Sequence, residues 1–579
     1  MLKVPYGESD FQKIMTEGYF YQDRTRFIEQ LEKWNSNYPV FLRPRRFGKS
    51  LFISTLHHYY GIEFKEIFEQ LFGHLYIGQH PTPLANTYLV LRFEFSRIDT
   101  ATHESTYQGF LTNVLWGARN FIAAYHPFFT EADKQLLLSQ VSPEAVVKAI
   151  VGLVAEKKLP HKIYVLIDEY DHFANELLSF DIHRFKSDVS RSGFVRKFYE
   201  TLKTASGEGI VDRIFITGVS PITLDSLTSG FNISDNITVN PIFHDMMGFL
   251  DTEVEDMLRQ TQIPEDNIPL LMYDLQQWYN GYRFNHRASK GLFNPDMVLY
   301  FLKEYSIAQY YPDEMLDTNV ISDYRKVRNY FRIGAGETER FEVLEALVKE
   351  GYVDFPLTRL FNLEAPFTQE DFLSLLFYMG ILTVQEPLSS DWRFRIPNYV
   401  IKKLYFEYFT AIFLDNTRFA STHQPITKSI DVLVNEANPQ PFFDIVTYVL
   451  TENHSNRDDL AYGEKHLQTL MIGLFFPFKA FMIHSEYEAK KGYPDIFLER
   501  VPGRKMNYEI VLEIKYVKKS AEKTLPEVIA QAEAQLDQYM RSERFSRPDV
   551  RGFYVVFLGG DVYQWRMWDK TEKATSLPD

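Results

Sequence analysis

The chain has 579 residues, no cysteine, and a formal net charge of −15 from 62 Lys and Arg against 77 Asp and Glu. Hydrophobic residues at 45% and charged residues at 24% exclude a disordered or fibrous chain, and the length implies several domains of ~150 residues each. The lack of cysteine excludes a disulfide scaffold, a zinc–thiolate site, a cysteine-ligated iron–sulfur cluster and a cysteine nucleophile, while the acidic balance leaves any contact with phosphates to local patches. From the N-terminus, MLKVPYGESDF lacks the apolar core of a signal peptide. Apolar strand-like runs at Tyr38–Leu42, Tyr88–Phe95, Lys162–Ile167 and Arg213–Thr217 alternate with helical periodicity at Ser50–Tyr60, Tyr107–Ala124, Pro143–Glu156 and Gly193–Leu202. That alternation predicts an α/β domain over residues 1–250, with a mostly parallel sheet covered by helices.

From 251 to 430 the pattern turns helical, at Asp251–Gln260, Ile268–Tyr279, Asp296–Tyr305, Glu339–Glu350 and Thr368–Met379. Short apolar stretches at Ile381–Val384 and Trp392–Ile396 suggest a hairpin, so this helical connector reads as winged-helix-like. Over 431–579 a helix-like run, Leu460–Phe475, precedes strand-like runs at Ala480–Glu486, Asp495–Glu499, Asn507–Tyr516 and Gly552–Leu558, with a polar helix at Leu525–Arg541 before the last. This is a second compact α/β pattern. The most apolar stretch, Leu467–Ile483, is interrupted by Gln468, Pro477 and Lys479 and falls short of the ~20 residues a membrane span needs. A soluble cytoplasmic protein without a membrane contact is expected.

Two clusters carry chemistry. In Val40-Phe-Leu-Arg-Pro-Arg-Arg-Phe-Gly-Lys-Ser-Leu51, Gly48, Lys49 and Ser50 stand after a strand and before a helix, as in a phosphate-binding loop, although Arg43 replaces the first glycine. Backbone amides at the helix start would face a polyphosphate, Lys49 would reach its outer phosphates, Ser50 would hold magnesium, and Arg45 and Arg46 add positive charge. The strand Ile163-Tyr-Val-Leu-Ile ends in Asp168, a candidate magnesium organiser, and Glu169, a candidate to polarise the attacking water. Thr217, at another strand end, is placed to sense the outer phosphate. The bland alternatives are solvated acids and a satisfied threonine.

The second cluster is Tyr493-Pro494-Asp495 followed by Glu513-Ile514-Lys515. The interval contains a strand, a Pro502-Gly503 turn and a second strand, so a hairpin would bring Asp495 beside Glu513, with Lys515 on the same face as Glu513. Two carboxylates and the Ile514 carbonyl make a hard oxygen site for Mg²⁺ or Mn²⁺. Glu464, on the preceding helix with His466, would complete the metal shell, with Glu486 a weaker alternative. Gln535 and Tyr539 share a face of the following helix. Two basic runs, Lys515, Lys518, Lys519 and Lys523, then Arg541, Arg544, Arg547 and Arg551, would admit a phosphate backbone, although such runs are more often solvated faces. No helix-turn-helix, zinc-finger or RRM signature is present.

Arg43-Pro-Arg-Arg-Phe-Gly-Lys-Ser50, with Tyr21-Gln-Asp23-Arg-Thr25, Phe194-Val-Arg196, Thr217-Gly-Val-Ser-Pro221, Asn280-Gly-Tyr-Arg-Phe284 and Asn294-Pro295, resembles the AAA-ATPase-like family of bacterial proteins, in which the arginine at position 43 belongs to the pattern. The tail resembles the RecB-like branch of the PD-(D/E)XK nuclease superfamily. That likeness implies Asp495, Glu513 and Lys515 as catalytic, Glu464 as accessory, and Gln535 and Tyr539 as site-supporting. Together they imply a P-loop ATPase-like domain, a helical connector and a nuclease that cuts DNA, with RNA and homo-oligomerisation left open and ATP either bound or hydrolysed. A nucleotide-responsive scaffold with degenerate sites, and a DNA-stimulated ATPase whose tail only grips nucleic acid, are the competing readings.

Overall fold

The computed structural model describes residues 3–34, 36–180, 193–222, 231–261, 263–308, 310–312, 314–317, 347, 351–361, 367–388, 391–414, 418–419, 422–454, 463–476, 478, 480–485, 494–501, 504–560 and 562–569. They fall into two compact units, Met1–Phe341 with Tyr352–Tyr399, and Glu342–Gly351 with Val400–Asp579.

The first unit is built on a parallel sheet. Its strands are β1 (Pro39–Leu42), β2 (Leu89–Glu94), β3 (Ile163–Asp168), β4 (Val211–Gly218) and β5 (Asp235–Asn236), in the order β2-β3-β4-β1-β5. Every residue of β1 and β3 is buried, as expected of strands covered by helices on both faces. The helices include α1 (Lys49–Tyr60), α2 (His103–Ala124), α3 (Pro143–Glu156) and α4 (Phe194–Gly207). Reciprocal bonds between Thr102 and Ser105 start α2, and Ser142 caps α3 ahead of its first-turn proline.

The helices after residue 250 belong to the same unit: α5 (Asp251–Gln260), α6 (Ile268–Tyr279), α7 (Pro295–Ala308) and α8 (Gln369–Tyr378). The expected hairpin is an antiparallel pair, β7 (Thr383–Pro387) with β8 (Trp392–Arg395), joined on the far side of β8 by β6 (Tyr352–Phe355). The helix expected at 339–350 lies outside the described residues apart from Leu347.

The second unit carries a mixed sheet of β9 (Phe481–Ser485), β10 (Ile496–Arg500), β11 (Glu509–Val517), β12 (Val550–Leu558) and β13 (Val562–Met567). The order is β13-β12-β11-β10-β9, with β11 and β12 parallel and the other pairs antiparallel. Helices α9 (Gln424–Glu436), α10 (Gln440–His454), α11 (Glu464–Phe475) and α12 (Leu525–Met540) accompany it. α12 packs Ala532, Leu536, Tyr539 and Met540 against Val511 and Val517 of β11 and Tyr554 and Val556 of β12. Among the described residues no helix is long and apolar enough to cross a membrane.

Candidate functional sites

In the first unit, β1 delivers the chain to the loop that precedes α1. Gly48 caps α1 at φ 92°, a conformation side chains resist, and Arg46 sits at φ 66°. Glu169, just past β3, also has positive φ, at 50°. Two non-glycine residues held in the left-handed region, each costing about 1 kcal/mol or more, flank one place. Lys49 is buried and its Nζ donates to the carbonyls of Arg43 at 3.0 Å and Pro44 at 2.9 Å. Burial lowers its pKa, against the opposing charges of Glu169 and Asp168.

Asp168 ends β3 fully buried. Burial raises its carboxyl to about 6, opposed by a hydrogen bond from Ser50. Among the described residues its Oδ1 has no hydrogen-bond partner, and neither has Oγ1 of the buried Thr217 at the end of β4. Burial also raises the Glu169 carboxyl. Strand order sets β3 and β4 side by side next to β1, so these groups gather at the carboxyl ends of parallel strands, where such sheets bind ligands. A cavity of about 260 Å³ opens there. Arg46, Gly48, Lys49, Ser50 and Glu169 line one side, with Tyr21, Phe52, Met247 and Phe249 forming an apolar wall. Asp168 with a bare oxygen beside Ser50, and Lys49 at the helix start, fit a nucleotide polyphosphate with its magnesium.

Arg43 does not form the lip of this loop. It is 1% exposed, and its guanidinium donates to the carbonyls of Leu42, Thr238, Phe243 and His244. The rings of Phe41 and Phe284 lie over it, each 4.1 Å from ring centre to guanidinium carbon. Phe284 also meets Phe47 of the loop edge-on, as does Tyr282. Asn294 donates to the Arg45 carbonyl at 3.5 Å, and Arg46 pairs with Asp296 at 2.8 Å. The Asn280–Phe284 and Asn294-Pro295 motifs thus brace the phosphate loop from behind. Sequence reasoning also passed over Asp171. This buried carboxylate accepts from the amides of Val219 and Ser220 and from Asn175, tying the turn after β3 to the end of β4. Its only signal was proximity to Asp168.

In the second unit the register pairs Ile496 with Leu512, which sets Asp495, one residue earlier, opposite Glu513. They are 3% and 1% exposed. Asp495 Oδ2 accepts from the Ile514 amide at 2.5 Å, and its carbonyl accepts from Gln468 of α11 at 3.0 Å. Burial and then the Glu513 charge push the Asp495 carboxyl well above the usual carboxylate range. Lys515 Nζ lies 2.7 Å from Glu513 Oε1 and 3.2 Å from Glu464 Oε1. Burial lowers the Lys515 pKa, but the Asp495 and Glu513 charges outweigh it and hold the ammonium above its ordinary value.

The structure therefore brings together Asp495, Glu513, Ile514, Lys515 and Glu464. Two crowded buried carboxylates fit a divalent cation, whose charge relieves their repulsion. Among the described residues no group of three or more His, Asp or Glu is set to hold a metal unaided, so a bound cation would take its remaining ligands from the Ile514 carbonyl, water or substrate oxygens. Gln535 is exposed on α12, and Tyr539 is buried in the core beneath it, so the two do not share an environment. Glu486, Tyr493 and the Pro502-Gly503 turn lie outside the described residues. Gln468 was missed, though it lies one helical turn from Glu464.

A phosphate-loop motif and a sheet bearing paired carboxylates thus stand in one chain. Residues 5–228 match the family model described as "Predicted AAA-ATPase", and residues 462–566 match that of the PD-(D/E)XK nuclease superfamily. The chain carries an AAA-ATPase-like domain and a PD-(D/E)XK nuclease-superfamily domain, as the motifs imply. It is 29% identical over 308 residues to a protein of Azotobacter chroococcum mcd 1 described as an uncharacterized protein in the vnfD 5′ region. That match spans 52% of this chain and 52% of the relative, about half the length of each. The Walker-type ATPase paby2304 of Pyrococcus abyssi superposes with a TM-score of 0.39 at 13% identity, over 66% of this chain and 94% of that one.

Proposed function

We propose that the chain is a metal-dependent nuclease that hydrolyses DNA phosphodiester bonds, with ATP bound in the phosphate loop gating that activity. In this reading residues 1–250 form the nucleotide module, 251–430 the connector and 431–579 the nuclease. The observation that carries it is the register that puts Asp495 opposite Glu513, with Lys515 within 2.7 Å of Glu513.

Mg²⁺ or Mn²⁺ held by Asp495, Glu513 and the Ile514 carbonyl would supply an activated water and a polarised phosphoryl oxygen. The chain's own groups do the rest. The Ile514 amide fixes one oxygen of Asp495, leaving the other for the ligand. Lys515 carries a permanent positive charge toward the scissile phosphate, where negative charge grows as water adds to phosphorus and the ester oxygen leaves. Glu464 holds the Lys515 ammonium in place, and Gln468 anchors the Asp495 backbone. Tyr539 supports the site through the core under α12, and Gln535 does so separately from the exposed face of that helix. In the first unit, Lys49 would reach the outer phosphates of ATP, Arg45 and Arg46 would add charge, and Ser50 with Asp168 would hold the magnesium. Glu169 would orient water and Thr217 would contact the outer phosphate.

The test is cleavage of linear, circular and single-stranded DNA, and of RNA, by purified full-length chain with Mg²⁺ or Mn²⁺, with and without ATP. DNA should be cut, and Lys515→Ala should abolish cutting while the protein stays folded. Equal inertness of wild type and Lys515→Ala on every substrate sinks the reading. ATP turnover stimulated by DNA, lost in Lys49→Ala and kept in Lys515→Ala, without cleavage, would favour a motor instead.

A further inference from the structure

Both members of one ion pair line the cavity beside the phosphate loop. Arg46 and Asp296 stand there together with Lys49, Ser50 and Glu169. Arg46 belongs to the loop, and Asp296 is the second residue of α7. Their charged ends lie 2.8 Å apart, and the side chains are 28% and 14% exposed, so water and salt screen this contact less than they screen a surface pair. Arg46 holds φ 66°, a strained conformation for a residue other than glycine, two positions ahead of Gly48.

The surroundings of the pair fix Asp296 in place. Asn294 accepts from the Asp296 amide at 3.1 Å and donates to the Arg45 carbonyl at 3.5 Å. The start of α7 is therefore tied to consecutive loop residues, by a neutral bond at Arg45 and an ionic one at Arg46. From the N-terminal segment, the Tyr6 ring packs against Tyr300 of α7 at 5.9 Å and under the Lys303 ammonium at 5.1 Å. Burial and then the Asp296 charge push the Tyr6 phenol up, with Arg46 opposing, so Tyr6, Asp296 and Arg46 share one environment. A polyphosphate seated against Lys49 and Ser50 would enter a cavity whose wall already carries the Asp296 carboxylate. Carboxylate and phosphate present the same bidentate geometry to a guanidinium, so both are partners of the kind Arg46 can take.

We propose that Asp296 is a built-in competitor for Arg46, from which a nucleotide phosphate must take the guanidinium, and that Asp296 thereby sets the affinity of the phosphate loop. The inference rests on the nucleotide reading of this cavity and adds a regulator to it. The ligand it acts on is the polyphosphate anion, not the base. A residue that only braced the loop would have the opposite effect, because its loss would loosen the loop and weaken binding.

Binding of ATP with Mg²⁺, and of inorganic tripolyphosphate, is measured by calorimetry on the full-length chain. Tripolyphosphate carries no base and reads the anion site alone. Asp296→Asn should bind both probes about five-fold more tightly than wild type, near the upper end of what one ion pair contributes. Asp296→Ser, whose short side chain no longer reaches Arg46, should show the same gain. The double-mutant cycle with Arg46→Gln isolates the competition. Without Arg46 the gain from Asp296→Asn should shrink to about two-fold, the share due to simple repulsion between Asp296 and the anion. Unchanged or weaker binding by both Asp296 variants overturns the proposal, and so does a gain of equal size with and without Arg46. A wild type that binds neither probe overturns the nucleotide reading and this proposal together. A wild type that binds, with Asp296 variants that gain nothing, overturns this proposal alone.

Discussion

Arg43 stands where a phosphate loop has its first glycine, yet nothing in its backbone calls for one, since it is absent from the residues with positive φ. The strain of this loop is carried instead at Arg46 and Gly48. Arg43→Gly would restore the usual pattern and remove the donor of three distant carbonyls, which sit 195, 200 and 201 residues further along the chain. Each buried carbonyl left bare costs roughly 1–3 kcal/mol. The expected outcome is a loss of at least ~3 kcal/mol in denaturant unfolding and weaker, not tighter, nucleotide binding. Retained stability would refute the buttress. Asp168 works the opposite way. Its carboxyl titrates near 6 in the fold against 3.8 when free, so the folded state holds its proton more tightly. That stabilisation is present below about pH 4 and is lost as pH rises through about 6, a cost of roughly 3 kcal/mol at neutral pH. Asp168→Asn should therefore stabilise the chain at about pH 8, with the gain fading toward pH 4, and abolish magnesium-nucleotide binding. A gain that is flat with pH would contradict the assignment.

At the scale of elements, α12 separates two residues that share one helical spacing. Tyr539 fills the core with Val511 and Leu536, while Gln535 faces solvent. Tyr539→Ala should cost about 3–5 kcal/mol, read by thermal or denaturant unfolding. Gln535→Ala should stay within about 0.5 kcal/mol of wild type, so any loss of cleavage in that variant reports on the site and not on the fold. The periodicity of α12 was legible in the sequence, as were β1 to β4, because each buries a long apolar run. Three strands were not. β5 has only two residues, β6 has one buried residue in four, and the alternation of β13 is masked because it is a largely exposed edge. The candidate sites were legible in the same uneven way. Glu513 and Lys515 lie on β11 and Asp495 just ahead of its neighbour β10, two strands whose short hairpin spacing fixes the register. The roles of Phe284, Asp296 and Arg43 depend on contacts between residues far apart in the chain, which no local pattern encodes.

For the whole molecule, the two sites lie in separate compact units, so a defect in one need not unfold the other. A ligand that binds only the folded state raises stability by RT ln(1 + [L]/Kd), about 2.7 kcal/mol at one hundred times Kd. Magnesium-ATP should therefore raise the unfolding midpoint of wild type and of Lys515→Ala alike, and leave Lys49→Ala unmoved. If ATP gates the nuclease, cleavage by wild type should change with ATP. Lys49→Ala should then cut at the nucleotide-free rate whether or not ATP is added, because Lys49 is distant in sequence from the paired carboxylates and its Nζ donates to the carbonyls of its own loop. Thermal unfolding and cleavage kinetics on the same three proteins decide the matter. A Lys49→Ala chain that still answers to ATP, or a wild type whose cutting ignores ATP while its midpoint rises, would leave two independent activities and no gate.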